Sequence, residues 1–453
     1  MNTNKFDLIV IGAGPGGYET ALKAAEHGLT VAIIEREELG GTCLNVGCIP
    51  TKCLCRNAEV LEEVRAADRY GIKAGSVTFD LARAVERKNE VVAKLVSGVG
   101  TLMKTPGITL YRGEAKFKGS HTVTVKGDME CELEANNIII ATGSVTKFLP
   151  IEGAHAEGVL TSTEMLDLQE VPQRLCVIGG GVIGLEFASI YRSFGSEVTV
   201  VEFCKEVLPF FDRDMAKRLR MSLKKRGIAF RTGAAVTKIT DTANGAKCVS
   251  FDEKGKEDSV EADVVLMAVG RAANLDSLNL DEANIAYTRR GITVDENMQT
   301  SLPGVYAIGD INGLMQLAHA ATAQGSVALR HILNTADTPP TDLAVCPAAV
   351  FTVPELAMVG KTEEQLTEAG IAYTSHKAFY RANGKALAME ADDGMMKLLV
   401  DAGGHILGGH ILGAHAADII HEVSAVMNLG GTLTQLRSMI HAHPTLSEIL
   451  VSL

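Results

Sequence analysis

The chain contains the same glycine-rich unit twice, and this duplication constrains its fold more than any other feature. Residues 6–35 and 174–202 each combine an apolar run, a G-x-G-x-x-G turn, a helical stretch and a second apolar run that ends in glutamate. This order is typical of a βαβ dinucleotide-binding unit, whose glycines allow a tight turn, the approach of a pyrophosphate and close packing of helix on strand. Each glutamate, Glu35 or Glu202, lies 23 positions after the first glycine of its motif. The glycines are Gly12, Gly14 and Gly17 in the first unit, and Gly179, Gly181 and Gly184 in the second.

Two such units predict an α/β protein with two Rossmann-like domains, each of which binds a dinucleotide. Hydride exchange between two bound dinucleotides is the simplest function for such a pair. Glu202 also indicates which nucleotide the second site binds, because a carboxylate there accepts a hydrogen bond from a ribose 2′-hydroxyl and repels a 2′-phosphate. The ten residues after Glu202 include one cation, Lys205. The second site is therefore expected to prefer NAD to NADP.

Two cysteines lie five positions apart in the segment GGTCLNVGCIPTK, residues 40–52. In a regular helix, the Cα atoms of Cys43 and Cys48 would be about 8.6 Å apart, which is too far for a disulfide. A bond between them therefore requires a distorted segment, which Gly47 and Pro50 would allow. A strained disulfide is easily reduced. From spacing alone, two interpretations stay open: a redox pair, or two unrelated buried thiols.

Three further apolar runs are expected to be strands that end near a nucleotide. They are residues 136–144, 262–271 and 304–310. The last run ends in Asp310, which is well placed at the carboxyl end of a strand to bond a cofactor hydroxyl. A simple turn residue is an equally good interpretation of this aspartate.

The segment HAHPTLSE near the C-terminus contains a candidate base for thiol chemistry. Thiols have an ordinary pKa near 8.5 and are mostly protonated at pH 7, so that a dithiol needs a base. His443 suits this task if a carboxylate orients it, and Glu448 lies five residues later. The residues from Thr445 to Glu448 also match a capping box, and from spacing alone the cap is the better interpretation of Glu448.

Composition agrees with this fold. The 453 residues are 46% hydrophobic, a length that suggests roughly three domains. The sequence has neither an apolar run of transmembrane length nor a cationic leader, so a cytoplasmic protein is expected. The net charge of −12 argues against binding to nucleic acid or anionic membranes, and no metal site is expected. The nine cysteines are expected to be reduced. Among them, Cys53 and Cys55 either pack on a helix or exchange disulfides under oxidant.

Segments along the whole chain resemble, in order, those of the pyridine nucleotide disulfide oxidoreductases with two dinucleotide folds. The segments are GAGPGGY, GGTCLNVGCIPTK, GGGVIGLE, ATGS, AIGD, QLAHAATAQG, PAAVFTVPELAMVG and HAHPTLSE. The resemblance implies FAD in the first fold, NAD in the second and a C-terminal α+β domain that forms a homodimer. The duplicated units predict the boundaries: 1–147 for FAD, 148–271 for NAD and 272–340 for a segment completing the flavin site, and the resemblance implies dimerisation by 341–453. The polar, Pro-rich residues 334–342 are expected to be a linker.

The same resemblance implies roles for the residues of the redox centre. Cys48 would face the flavin, Cys43 would exchange with substrate and Lys52 would lie beside the isoalloxazine. Glu186 would lie near the nicotinamide. His443 would be the acid/base with Glu448 as its partner, acting on the disulfide of the other subunit, and His441 is the main alternative. Further implied cofactor contacts are Ala115, Ala141, Thr142, Gly143 and Ala318 for FAD, and Val236 and Gly270 for NAD.

The implied activity is the oxidation of protein-bound dihydrolipoyl groups by NAD. The lipoyl group would belong to a 2-oxo acid dehydrogenase complex or to the glycine cleavage system. One alternative is another NAD(P)H-dependent disulfide reductase, such as a glutathione reductase, which would be expected to carry basic residues where Glu202 stands. A second alternative is a noncatalytic, NAD-sensing flavoprotein subunit, against which the intact cysteine pair and the His443–Glu448 spacing argue.

Overall fold

The structure, a computed structural model, describes residues 3–128, 130–276, 278–335 and 342–453. Most of the predicted linker, residues 336–341, lies outside the described residues. The chain divides into two compact units, each built from three stretches. The first unit consists of Met1–Cys53, Glu86–Lys147 and Gly270–Leu343, and the second of Leu54–Val85, Phe148–Val269 and Ala344–Leu453.

The helices of the described residues are numbered in chain order. The α-helices are α1 (Pro15–Glu26), α2 (Gly41–Asn45), α3 (Cys48–Arg65), α4 (Leu81–Leu102), α5 (Ser162–Met165), α6 (Val182–Phe194), α7 (Arg213–Lys225), α8 (Ala318–Leu333), α9 (Glu363–Glu368), α10 (Gly384–Ala388), α11 (Ala416–Asn428) and α12 (Leu433–Ser438). Short 3-10 helices lie at Ala67–Tyr70, Gly309–Asn312, Leu343–Val345, Tyr380–Ala382 and Leu446–Ser452.

The strands are numbered in the same way. They are β1 (Thr3–Ile11), β2 (Val31–Glu35), β3 (Ile108–Phe117), β4 (Thr122–Gly127), β5 (Cys131–Ile140), β6 (Ser144–Thr146), β7 (Val159–Leu160), β8 (Arg174–Ile178), β9 (Glu197–Glu202), β10 (Ala229–Thr232), β11 (Ala234–Asp241), β12 (Lys247–Glu253), β13 (Lys256–Ala262), β14 (Val264–Met267), β15 (Arg271–Ala273), β16 (Tyr287–Thr288), β17 (Gly291–Ile292), β18 (Val305–Ala307), β19 (Ala348–Val350), β20 (Glu355–Gly360), β21 (Thr374–Phe379), β22 (Met395–Val400) and β23 (Ile406–Gly413).

The first unit contains a parallel sheet in the order β3-β2-β1-β5-β18. Strand β2 and the last four residues of β1 are buried throughout, as expected for parallel strands covered on both faces. Strand β4 pairs antiparallel with the end of β3 and with the beginning of β5. Helices α1 and α8 pack on each other closely, since a Cβ atom on Gly325 would lie 1.9 Å from the Thr20 hydroxyl oxygen.

The second unit repeats this arrangement in its nucleotide-binding part. Its parallel sheet has the order β10-β9-β8-β14-β7, with β8 and β9 in the positions of β1 and β2. An antiparallel meander, β11-β12-β13, follows the outer strand, as in the first unit. The duplication predicted from the glycine motifs is therefore a duplication of architecture.

The C-terminal part of the second unit is a five-stranded antiparallel sheet in the order β19-β20-β23-β22-β21. The apolar strands and the amphipathic helix predicted here from the sequence are β22, β23 and α11. The buried face of α11, which includes Ile419, Ile420 and Val423, packs into the core of this part. Within the described ranges, no helix is both long enough and apolar enough to cross a membrane.

Candidate active site

The first glycine loop joins β1 to α1 in a shape that side chains would obstruct. Gly12 has φ +103°, and a Cβ atom there would lie 2.4 Å from the carbonyl oxygen of Ala141. A Cβ on Gly17 would lie 1.9 Å from the oxygen of Gly12, so that helix and turn contact directly. Gly14 has open space beside it and caps α1 without a side-chain hydrogen bond. The open N-terminus of α1 therefore fits a pyrophosphate.

Glu35 at the end of β2 is largely buried and binds the main chain on both sides. Its Oε2 accepts a hydrogen bond from the Ala13 N–H at 2.7 Å, and its Oε1 accepts one from the Glu37 N–H at 2.8 Å. The predicted ribose-binding carboxylate is thus fixed by the glycine loop and by the turn that follows it.

The predicted redox segment begins directly on this loop. The Gly40 N–H donates to the Ala13 carbonyl at 2.9 Å, and a Cβ on Gly41 would lie 2.8 Å from the Gly14 Cα atom. Gly40 and Gly41 have φ values of +90° and +55°, which favour glycine.

The helix breaks between the two cysteines, as a redox pair would require. Helix α2 contains Cys43 and ends at Asn45, whereas α3 begins at Cys48. A Cβ on Gly47 would lie 2.8 Å from the Thr42 carbonyl oxygen, so a side chain at this position would force the break apart. The glycine therefore allows the two turns to approach each other.

The thiols of Cys43 and Cys48 hydrogen-bond each other. This bond is the largest cause that raises the pKa of Cys43, burial adds to it, and the charge of Lys52 opposes it. Lys52 lies on the first turns of α3, followed by Cys53 and Cys55, which are both buried. Burial agrees with the interpretation that these two thiols pack on the helix.

Residues Ala141 to Gly143 follow β5, where Gly143 has φ +70°. Thr142 exchanges hydrogen bonds with Asn274: its hydroxyl donates to the Asn274 carbonyl, and its own carbonyl accepts from the Asn274 amide, both at 3.2 Å. The strand end is thereby attached to the segment that follows β15.

Asp310 begins a half-buried polar network that the sequence alone did not indicate. The Ser144 hydroxyl donates to Asp310 at 2.5 Å, and Arg271 donates to the Ser144 hydroxyl and carbonyl oxygens at 2.7 Å each. Burial raises the pKa of Asp310 and lowers that of Arg271, while each charge opposes the shift of the other. The electrostatic interaction with Cys48 also opposes the lowering of the Arg271 pKa. The position of Arg271 directly after Gly270 was the only signal in the sequence.

Gln324 on α8 was also missed and fixes the turn that carries Asp310. Its side-chain oxygen accepts hydrogen bonds from the Gly309 N–H at 2.7 Å and from the Asn312 side chain at 2.8 Å. Ala318 is the first residue of α8. Ala115 lies on β3 with its side chain in the hydrophobic core, which leaves only its main chain for a ligand.

The second glycine loop has the geometry of the first. Gly179 has φ +110°, and a Cβ there would lie 2.3 Å from the Ala268 carbonyl oxygen. A Cβ on Gly184 would lie 2.0 Å from the Gly179 oxygen, while Gly181 has open space beside it and caps α6. This loop fits a second pyrophosphate for the same reasons.

Glu202 accepts hydrogen bonds from the main chain on both sides, as Glu35 does. It accepts hydrogen bonds from the Gly180 N–H at 2.5 Å and from the Cys204 N–H at 2.6 Å. Val236 lies on β11, where the pairing with β12 is irregular, and Gly270 follows β14 with φ +104°.

Glu186, on α6, is 3% exposed and accepts a hydrogen bond from the Phe351 N–H at 3.0 Å. Val353 donates its N–H to the Ser189 hydroxyl at 3.3 Å. Residues 351–353 thus pack against the helix that follows the second glycine loop.

His443 and Glu448 form the pair that the sequence suggested. His443 Nδ1 lies 2.9 Å from Glu448 Oε1, and the other carboxylate oxygen accepts the Thr445 N–H at 2.8 Å. The pKa of Glu448 is lowered most by the hydrogen bond from the Thr445 N–H and next by the one from the His443 ring. The carboxylate therefore serves as a cap and as the partner of the histidine, so that the two interpretations are compatible.

The two histidines of the HAHP segment differ in exposure. The His443 side chain is 81% exposed, and no residue in the described part of the chain hydrogen-bonds its Nε2. The His441 side chain is 8% exposed and contacts Glu422.

Two glycine loops of one geometry, a cysteine pair on the first loop and a His–Glu pair define the class of disulfide oxidoreductases with two nucleotide sites. The chain belongs to the pyridine nucleotide-disulphide oxidoreductase family: residues 6–325 match that family and residues 346–453 match its dimerisation domain.

Relatives named dihydrolipoyl dehydrogenase align with nearly the whole chain. The one from Bacillus subtilis is 41% identical over 98% of this chain and 94% of its own length. The one from Chlamydia muridarum is 38% identical over 98% of this chain and 95% of its own length. A solved structure of the HOCl-induced flavoprotein disulfide reductase RclA from Escherichia coli, as a Cu(II) complex, has a TM-score of 0.88 and 32% identity. It covers 100% of this chain and 99% of that one.

These comparisons confirm the predicted fold class, the enzyme class of oxidoreductases and the cofactors FAD and NAD. The match to a dimerisation domain supports the predicted homodimer. The roles of individual residues and the three domain boundaries stay predictions.

Proposed function

We propose that this protein is a dihydrolipoyl dehydrogenase, which oxidises protein-bound dihydrolipoyl groups with NAD by way of a disulfide between Cys43 and Cys48. The observation that carries the proposal is the broken helix, which brings the two thiols into hydrogen-bonding contact at the first glycine loop. The full-length relatives named dihydrolipoyl dehydrogenase support the lipoyl substrate.

Disulfide exchange is the work of the protein's own residues. His443 removes a proton from one dihydrolipoyl thiol, and the resulting thiolate attacks the Cys43 sulfur. The bond between Cys43 and Cys48 breaks, and Cys48 leaves as a thiolate. The second lipoyl thiol then displaces Cys43 from the mixed disulfide. Two electrons have passed from the lipoyl group, which leaves as a disulfide, to the cysteine pair.

His443 is suited to this step because Glu448 orients its ring and stabilises its cation. The Nδ1 atom faces the carboxylate, so the neutral ring carries its proton there and offers the Nε2 lone pair to a thiol. We infer that this histidine acts on the disulfide of the partner subunit, as the resemblance implies and the matched dimerisation domain supports.

The residues present fit both cofactors, since the two loops leave open space at Gly14 and Gly181 where a pyrophosphate would lie. Bound FAD supplies the transfer of electrons from the cysteine pair to NAD as a hydride. Lys52 would stabilise negative charge beside the flavin, and Glu186 would lie near the nicotinamide. Residues that would hold FAD are Gly12, Gly14, Gly17, Glu35, the main chain of Ala115, Ala141, Thr142, Gly143, Asp310 and Ala318. Those that would hold NAD are Gly179, Gly181, Gly184, Glu202, Val236 and Gly270.

The lipoyl group would be presented by a protein of a 2-oxo acid dehydrogenase complex or of the glycine cleavage system. We place the domain boundaries at residues 147, 271 and 340. The protein would act in the cytoplasm.

The substrate assignment is tested by assaying the purified protein with NADH or NADPH against lipoamide or glutathione disulfide. Turnover of lipoamide with NADH is expected. Preference for glutathione disulfide would overturn the substrate, and the absence of turnover with either disulfide would favour a noncatalytic flavoprotein.

The role of His443 is tested by His443→Gln. Lipoamide turnover should fall by roughly 10² to 10⁴, while flavin content and reduction of the flavin by NADH stay nearly intact, because neither needs proton removal from the lipoyl group. His441→Gln should be much milder.

The shared site is tested by mixing inactive Cys43→Ser and His443→Gln chains under conditions that exchange subunits. If His443 acts on the disulfide of the partner subunit, each mixed dimer regains one site with both native residues. Proven mixed dimers without recovered activity would contradict the shared site.

A further inference from the structure

His443 lies in a segment without helix or strand, residues 439–445, between α12 and the last 3-10 helix. The side chains of Ile440 and His443 are almost fully exposed, at 100% and 81%. A base on such a segment has a defined position only if other contacts fix the main chain on both sides of it.

On the C-terminal side, Glu448 provides that contact. It binds the His443 ring through one oxygen and the Thr445 N–H through the other, while the Asn383 side chain donates to the Thr445 carbonyl at 3.0 Å. These bonds fix the chain after His443.

On the N-terminal side, His441 is the corresponding contact. Its Nε2 lies 2.8 Å from Glu422 Oε2, and its Nδ1 lies 3.2 Å from the carbonyl oxygen of Met439. Each ring nitrogen therefore faces an oxygen of the same C-terminal part of the chain, and the histidine side chain is only 8% exposed.

Glu422 has a well-defined position because it lies in the middle of α11. That helix inserts Ile419, Ile420 and Val423 into the core of the C-terminal sheet. A carboxylate on this helix therefore holds the segment against a packed element rather than against another loop.

From these contacts we infer that His441 is a positioning residue for the reaction: paired with Glu422, it holds residues 439–445 on α11 and thereby places the His443 imidazole. The inference rests on the proposed function, in which His443 is the base. It also distinguishes the two histidines, because both ring nitrogens of His441 face oxygen atoms of its own chain, whereas the His443 side chain is 81% exposed.

The test compares His441→Leu, which removes both hydrogen bonds, with His441→Gln, which retains an N–H group able to donate to Glu422. His441→Leu should lower kcat for lipoamide by about 10- to 100-fold, since small displacements of a catalytic group have effects of this size. The KM for lipoamide and the reduction of the flavin by NADH should stay unchanged, and His441→Gln should restore most of the turnover.

Glu422→Leu should have the same effect as His441→Leu, and the double variant should be no slower than either single variant, because the two side chains act as one unit. The control is His421→Gln, which changes the exposed neighbour of Glu422 on the same helix and should behave as the native protein.

Hydrogen exchange of the main-chain amides in residues 439–445 gives a readout that does not depend on the substrate. Exchange should be faster in His441→Leu than in His421→Gln. Unchanged exchange, or native lipoamide turnover by His441→Leu, would overturn the inference. A native protein that exchanges normally but does not turn over lipoamide would overturn the proposed function, while the exchange rates would still decide whether His441 anchors the segment.

Discussion

The two glycine loops have nearly the same geometry, but the chain that follows each acid is different. In both loops the acid accepts a hydrogen bond from the residue after the first glycine and another from the residue two positions beyond itself. After Glu35 the chain returns to its own loop, and two glycines with positive φ place the cysteine segment on it. After Glu202 the chain also returns to its own loop, where the Leu208 N–H donates to the Gly180 carbonyl at 3.0 Å. This segment carries exposed aromatic side chains instead of a cysteine pair, with Phe203 and Phe210 75% and 85% exposed.

The segment after Glu202 ends at a buried charge. Asp212 caps α7 and lies 2.5 Å from the Nζ atom of Lys397, and both side chains are fully buried. Lys397 also pairs with Glu363 at 2.7 Å. The two repeated loops thus differ in the segment that follows the acid. In the first unit this segment carries a thiol pair, and in the second it carries an aspartate that forms an ion pair with the C-terminal sheet.

The largest expected effect is on the segment after Glu35. Cys43→Ser and Cys48→Ser should each abolish lipoamide turnover while FAD stays bound, because the disulfide can no longer form. Cys43→Ser should show the long-wavelength absorbance of a thiolate beside the flavin without reduction, and Cys48→Ser should never show it. Visible spectra under anaerobic conditions provide the measurement. Cys248→Ser on β12 is the control, and the opposite pattern of spectra would reverse the roles of the two cysteines.

The next effect is on the segment after Glu202. Lys397→Met should lower the free energy of unfolding by about 3 to 5 kcal/mol, because it leaves Asp212 buried without its cation. Denaturant unfolding measures this loss. The matched control is Lys247→Met, whose partner Asp241 is 69% exposed and whose ion pair should contribute at most about 1 kcal/mol. Equal losses in the two variants would show that burial of the Asp212 pair does not matter.

A smaller effect distinguishes the two acids. Glu202→Ala should weaken NADH binding by about 1.5 to 3 kcal/mol and narrow the discrimination against NADPH, because a charged hydrogen-bond acceptor is lost. Glu35→Ala should leave NADH binding unchanged and lower the FAD content. Titration of each purified variant with NADH and NADPH gives the comparison, and native NADH affinity in Glu202→Ala would show that this carboxylate does not contact the ribose.

The smallest effect is a pH dependence in the second unit. Burial lowers the pKa of His410 on β23 to about 4, while the charge of Lys397 adds to this shift and those of Asp212 and Glu363 oppose it. The ring stays neutral in the folded protein but takes up a proton near its ordinary pKa when unfolded. The free energy of unfolding should therefore fall as pH drops from about 6.5 towards 4, by at most about 1.4 kcal/mol per pH unit. Denaturant unfolding at pH 7 and pH 5 measures the loss, and His410→Gln should reduce it. An equal loss in that variant would assign it to other groups.

Much of the fold could be predicted because its signals are local. One glycine of the first motif has φ +103°, and at another a Cβ atom would lie 1.9 Å from a carbonyl oxygen. Other residues do not fit these positions, so the glycines can be recognised in the sequence. The helix break between Cys43 and Cys48 could be predicted on the condition that the two form a disulfide, since a disulfide cannot span five residues of regular helix.

The half-buried polar contacts of Asp310 could not be predicted in this way. Arg271, Ser144 and Asp310 are far apart in sequence and meet only because β6 pairs with β15 and the end of β18 lies near them. Pairs of this kind depend on sheet order and register, which leave no spacing rule in the chain.

The two nucleotide-binding units, the redox segment and the HAHP segment could be recognised in the sequence, because each depends on backbone conformations or on chemistry within a few consecutive residues. The difference between the two histidines of the HAHP segment depends instead on tertiary packing. Glu422 precedes His441 by 19 residues on another helix, and it is the packing of α11 that places its carboxylate against one ring and leaves the other ring open to solvent.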